Sequence, residues 1–131
     1  MKDCKPSKTP FLLGVKLEEV DSSPMVNNTL YRKLIGCLLY LTHNRPDISY
    51  VVSVASRYMD HPHEIHWRAA KRILNFVKGT RTHGILYKAK YDIDLIGFTD
   101  SDWAGDSTDQ KSTSRYVFIL AEGPISWSSK K

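Results

Sequence analysis

The apolar positions change their period once along the chain. From Thr29 to Lys78 they recur every third or fourth residue, and from Gly84 onward they fall towards every second residue. Residues 1–28 instead carry Pro6, Pro10, Gly14 and Pro24 among Lys and Ser, which rules out a long helix and predicts an extended arm. Leu30, Leu34, Cys37, Leu38 and Leu41 share one helical face with Arg32 and Lys33 opposite, predicting a first helix capped by Asn28 or Thr29. A second helix is expected to begin at Pro46, where a fixed φ suits a first turn and a missing N–H is no loss. Its stripe is Ile48, Val51, Val52, Ala55 and Met59. Asp60-His61-Pro62 breaks the pattern. A third helix then runs from about His63 to Lys78, burying Trp67, Ala70, Leu74 and Val77 and ending at Gly79.

Beyond Gly84, four short runs read as strands: Ile85-Leu86-Tyr87, Leu95 to Thr99, Tyr116 to Leu120 and Ile125 to Ser128. Gly123-Pro124 is the expected turn between the last two. The fold class is therefore α+β. A three-helix module over 29–87 follows the arm, and an antiparallel sheet of three or four strands fills 88–131.

Composition narrows this only a little. The 131 residues, 41% hydrophobic and 25% charged, are enough for one globular domain with a core. The net charge of +5 permits contact with phosphates without demanding it. Cys4 and Cys37 form no CxxC pair, which argues against a disulfide framework or a zinc site. The longest apolar runs, Phe11 to Val15 and Cys37 to Leu41, are too short for a signal-peptide core or a membrane span. The expectation is a cytoplasmic or nuclear chain with no membrane partner.

Candidate chemistry is sparse. Asp100 and Asp102 follow the apolar run from Leu95. Carboxylates ending a buried strand need a cation, often a divalent metal, whereas the plainer reading makes them solvated turn residues. Tyr91-Asp92-Ile93-Asp94 has only a superficial likeness to a polymerase Tyr-x-Asp-Asp, since its carboxylates are not adjacent, and is read as a solvated turn. Of His61, His63 and His66, only the last two share a face, and no third ligand stands at metal-site spacing. They read as capping and surface histidines. Arg68, Lys71, Arg72 and Lys78 line the polar side of the third helix and could follow a nucleic-acid backbone; the alternative is an ordinary solvated face. Residues 107–114 are rich in Ser and Thr without a Gly-x-Ser-x-Gly, so nucleophilic catalysis has no support.

Several segments carry a resemblance. In order they are Met1-Lys2-Asp3-Cys4-Lys5-Pro6, Leu30-Tyr31-Arg32-Lys33-Leu34-Ile35-Gly36, Arg45-Pro46-Asp47-Ile48 and His66-Trp67. Lys78-Gly79-Thr80, Gly84-Ile85-Leu86-Tyr87, Asp100-Ser101-Asp102-Trp103-Ala104-Gly105-Asp106 and Ser126-Trp127-Ser128-Ser129-Lys130-Lys131 complete the set. Together they resemble the Pol polyprotein of copia-type retrotransposons over nearly the whole chain.

The resemblance implies a thumb and connection segment of reverse transcriptase up to about Tyr87, followed by the first strands of an RNase H domain. Asp100 would match the first metal-binding carboxylate, whereas Asp102 recurs in the family without an assigned role. The family's remaining carboxylates fall after the Ser-Trp-Ser-Ser-Lys-Lys strand, and the polymerase palm is absent. The expectation is therefore a truncated, non-catalytic remnant with a vestigial Asp100, which would use Mg²⁺ or Mn²⁺ only if the set were complete. Arg115 stands where glycine is common in the family. The implied partner is an RNA–DNA hybrid held by the basic helix face. An uncovered sheet adds the expectation of marginal stability or self-association.

The chain is also similar to copia-like chains among the secreted RxLR-type effectors of oomycetes. Those proteins enter plant cells and suppress defence or cell death, which implies secretion and host plant proteins as partners. No Arg-x-Leu-Arg is present; Arg72-Ile73-Leu74-Asn75 is the nearest approach.

Overall fold

Asn27, one residue before Asn28 and two before Thr29, the expected caps, starts the first helix. Its side-chain oxygen accepts the N–H of Leu30 at 3.1 Å, satisfying one of the donors that a helix start leaves open. The computed structural model describes residues 4–11, 17, 23–89, 93–101 and 114–130. Within them lie α1 (Asn28–Leu41), a 3₁₀ turn (Pro46–Ile48), α2 (Ser49–Ser56), α3 (Glu64–Gly79), β1 (Leu95–Ser101), β2 (Ser114–Leu120) and β3 (Gly123–Lys130). The fold is α+β, with three α-helices and an open three-stranded antiparallel sheet in the order β1-β2-β3.

The core lies among the helices. Tyr31, Ile35 and Leu38 of α1 meet Ile48, Val51, Val52 and Ala55 around α2, and Ala70 and Ile73 of α3. The α1 stripe is rotated from the one expected: Tyr31 and Ile35 are buried, whereas Leu30 and Cys37 are exposed. Tyr31 can take a core position because its hydroxyl donates to the carbonyl of Ala55 at 2.8 Å, leaving only the ring to be desolvated. Burial, with Tyr58 adding to it, pushes the Tyr31 phenol above its ordinary range. On α3 the buried side chains are His66, Ala70 and Ile73. The expected Trp67, Leu74 and Val77 flank them half-buried, so this face too is turned by about one position.

Arg45 binds the helices together end to end. Its Nε and Nη2 donate to the two carboxylate oxygens of Asp47 at 2.9 and 2.7 Å. Nη1 and Nη2 also donate to the carbonyl and hydroxyl of Thr80, at 3.2 and 2.7 Å, just past the end of α3. The guanidinium lies 5.9 Å from the Phe76 ring centroid, and only 11% of the side chain is exposed. Hydrogen bonding to Asp47 is the main cause of a raised Arg45 pKa, and the same bond holds the Asp47 carboxyl below its ordinary range.

His66 caps the start of α3, as expected, but it is a core residue and not a surface one. Its Nδ1 accepts the backbone N–H of His63 at 2.9 Å, so Nε2 must carry the proton that it donates to Leu17 O, also at 2.9 Å. The ring stacks on Tyr58 with centroids 4.0 Å apart. Both nitrogens are thus committed to the neutral form. Burial pushes the His66 pKa down and nearby His63 adds to this, against the opposing effect of the Leu17 bond.

In the sheet, β1 pairs with β2 from Leu95↔Leu120 to Ser101↔Ser114. The turn between β2 and β3 is Ala121-Glu122, both at positive φ (49° and 66°), and not Gly123-Pro124. Pro124 sits within β3, an edge strand, where a missing N–H is tolerated, and Ile125 bulges between the Ile119↔Pro124 and Phe118↔Ser126 pairs. Ile85–Tyr87 forms no strand. That segment lies beside the turn through side chains: Tyr87 Oη donates to Pro124 O at 2.7 Å and Lys88 pairs with Glu122 at 2.6 Å. The Trp127 indole donates to Thr42 O at 2.9 Å, joining β3 to the end of α1. All of β1 is exposed, as are Tyr116 and Phe118.

Two outcomes are expected from this packing. Arg45→Lys keeps the charge but loses the fork, and should lower unfolding free energy by about 1.5–3 kcal/mol in urea melts. Acid should act in two windows, because for both groups the unfolded chain binds more protons than the native one. The His66 contribution is complete above its ordinary pKa of 6.5 and is lost as pH falls through its depressed native value. The Asp47 contribution is complete above 3.8 and is lost as pH falls through its own depressed value. In melting temperature measured against pH, the upper step should vanish in His66→Gln while the lower one remains.

Candidate nucleic-acid interface

The four basic residues on α3 are not equivalent. Arg68 and Lys71 are exposed, whereas Arg72 and Lys78 are half-buried beneath the arm. Lys78 Nζ donates to Cys4 O at 2.7 Å, Arg72 Nη2 donates to Thr9 Oγ1 at 2.9 Å, and Ser7 N–H donates to Asn75 O at 3.2 Å. The described part of the arm, residues 4–11, therefore docks along the last turns of α3. Gly79 permits this approach: a Cβ there would lie 2.8 Å from the Pro6 Cβ. Docking also brings two exposed lysines, Lys5 and Lys8, to the surface along the helix. Neither was legible as a site residue, because nothing in the sequence says where an arm will lie. Lys71 sits 5.7 Å from the Trp67 ring centroid and 3.8 Å from Glu64, an exposed pair of the kind that contributes little.

Asp100 lies inside β1 and its side chain is 65% exposed, so neither a buried strand end nor a turn describes it. Register places it opposite Arg115, whose Nη1 is 3.5 Å from the Asp100 carboxylate. The same guanidinium lies 5.3 Å from the Tyr50 ring centroid on α2. These groups wall a cavity of about 600 Å³ between the helices and the sheet, together with Phe98, Tyr116 and Trp127. Asp102 and Asp92 lie outside the described residues.

A divalent metal takes about six oxygen ligands, usually with more than one carboxylate. Among the described residues no group of three or more His, Cys, Asp or Glu stands together. At Asp100 a cation is already in contact. The described residues do not fit a divalent ion. The histidines do not converge on a point either: His66 is committed as described, and His63 Nδ1 donates to Ser23 O at 2.9 Å.

A second cleft, of about 650 Å³, separates α1 and α2 from β3 and is lined by Thr42, Ser53, Arg57, Tyr116 and Ser128 among others. Sequence reasoning had no signal for it, since its walls come from distant segments. No helix among the described residues is long and apolar enough to cross a membrane.

No family model matches the chain, and no solved structure matches it. Curated relatives do. The chain is 43% identical over all 131 residues to a retrovirus-related Pol polyprotein from transposon RE2 of Arabidopsis thaliana, of which it spans 9%. It is 37% identical over 131 residues to an uncharacterised mitochondrial protein of the same plant, covering 54% of that protein. It is also 38% identical over 107 residues to a secreted RxLR effector protein of Plasmopara viticola, covering 81% of this chain and 75% of the effector. The motifs that suggested the resemblance and the identities over all 131 residues agree: along its whole length the chain is homologous to a segment of retrovirus-related Pol polyproteins of transposons.

Proposed function

We propose that this segment is a non-catalytic part of retrotransposon Pol, spanning the reverse-transcriptase connection and the first strands of RNase H, that holds a nucleic-acid backbone along α3. The observation that carries the reading is the 43% identity to a Pol polyprotein across the entire chain. Two-metal hydrolysis of a hybrid needs several carboxylates around a pair of ions. In this segment the strand carboxylate with that potential is Asp100, which faces Arg115. Backbone binding asks for less: exposed cations spaced along a rigid element, as Arg68 and Lys71 are on α3. Lys5 and Lys8 extend that surface when the arm is docked. The open sheet supports self-association as well, since β1 is exposed throughout and, among the described residues, carries Leu95, Ile96 and Phe98 at an edge of the sheet.

A second reading is a secreted effector that acts on host plant proteins to suppress defence. It is favoured by the match covering 75% of a secreted RxLR effector. Expression in plant tissue challenged with a cell-death elicitor separates the readings: suppression supports the effector, and unchanged death removes it.

The Pol reading is tested with a fluorescent RNA–DNA hybrid. Binding should weaken with salt, and the double variant Arg68→Ala, Lys71→Ala should flatten the plot of log K against log salt by about two units. Arg72→Ala and Lys78→Ala, whose side chains hold the arm, should change that slope less. No cleavage is expected with Mg²⁺ or Mn²⁺. A salt-independent Kd would remove the backbone-binding part, and turnover abolished by Asp100→Asn would remove the non-catalytic part.

A further inference from the structure

Asp100 is met from across the sheet by a side chain that is itself held from a second side. Arg115 reaches the carboxylate at 3.5 Å from the directly paired position on β2, and its guanidinium lies against the ring of Tyr50 on α2 at 5.3 Å. Alternation along β2 puts Arg115 on the half-buried face with Val117 and Ile119, the face turned towards the helices. An arginine seated between an aromatic ring and a carboxylate loses much of the freedom that would let it swing aside.

We propose that Arg115 is the resident cation of Asp100: it neutralises the strand carboxylate, ties the sheet to α2, and keeps divalent metal ions away from that position. The inference deepens the non-catalytic reading and rests on it, but its readout is metal occupancy and not turnover, so the two can fail separately. A lone carboxylate in water is a weak ligand for a dication. A fixed positive charge about 5 Å from the same spot weakens it by roughly a further tenfold, even at the dielectric constant of water. A neutral side chain at 115 removes that opposition and leaves Asp100 open.

Mn²⁺ alone is the probe, titrated into ¹⁵N-labelled full-length chain while the amides of Thr99, Asp100 and Ser101 are followed for paramagnetic broadening. Arg115→Gln should broaden these amides at no more than a tenth of the Mn²⁺ concentration that the parent chain needs. Asp100→Asn added to Arg115→Gln should abolish the gain. Arg115→Gly serves as a second neutral variant, and retained amide dispersion shows which variants are folded. Equal responses in the parent and in the folded neutral variant, whether both strong or both absent, would overturn the proposal. So would broadening that survives Asp100→Asn.

Discussion

The helical module depends on one guanidinium. Arg45 stands between α1 and α2 in sequence, yet its hydrogen bonds reach past the end of α3 to Thr80. Three constraints meet there. Asp47, two residues on, fixes the fork and the start of the 3₁₀ turn. Thr80 supplies the carbonyl left open where α3 stops, and its hydroxyl, while accepting from Arg45, donates back to Phe76 O at 2.9 Å. The Phe76 ring covers one side. Such an ion pair stabilises because each hydrogen-bonding group of the nearly buried guanidinium finds an acceptor; removing one partner leaves a desolvated charge behind. Two segments quoted for their resemblance, Arg45-Pro46-Asp47-Ile48 and Lys78-Gly79-Thr80, are far apart in sequence and are one contact in space.

The arm and the sheet hang on this module in different ways. The arm is held by polar contacts to α3, and Gly79 supplies the missing side chain that lets Pro6 approach. Its path also brings Leu17 over His66, whose tautomer is then set by a backbone donor on one side and a backbone acceptor on the other. Among the described residues, the sheet is joined to the helices through Trp127 to Thr42 and through Arg115 to Tyr50. Backbone pairing makes the sheet coherent from within, while much of its apolar surface meets no helix.

Periodicity made the three helices and three strands legible, because burial of one face imposes that spacing whatever the partner. It failed where a contact had no period. Ile85-Leu86-Tyr87 has strand composition, but Tyr87 and Lys88 engage the β2–β3 turn through their side chains. The turn itself carries no glycine at Ala121 or Glu122, so the visible Gly123-Pro124 drew the prediction two residues too far. Tyr31 and His66 look polar as residue types, yet each becomes a core residue once its polar atoms find backbone partners. For the candidate site, α3 and its four cations were readable, but their division into covered and exposed pairs was not, since it is decided by an arm with no regular pattern.

That division governs the electrostatics of the chain. A net charge of +5 suggests a broadly cationic surface, but a cation already engaged with a fixed partner contributes little to a new one. Arg45 and Arg115 face carboxylates, and Arg72 and Lys78 hold the arm. Outward along α3 stand Arg68 and Lys71, the latter at a looser 3.8 Å from Glu64, joined by Lys5 and Lys8 through the docking of residues 4–11. The arm therefore exchanges rather than blocks: it engages two side chains of the helix and presents two of its own. A nucleic-acid backbone on this surface would touch a composite of two segments, and its affinity would depend on how firmly the arm stays seated.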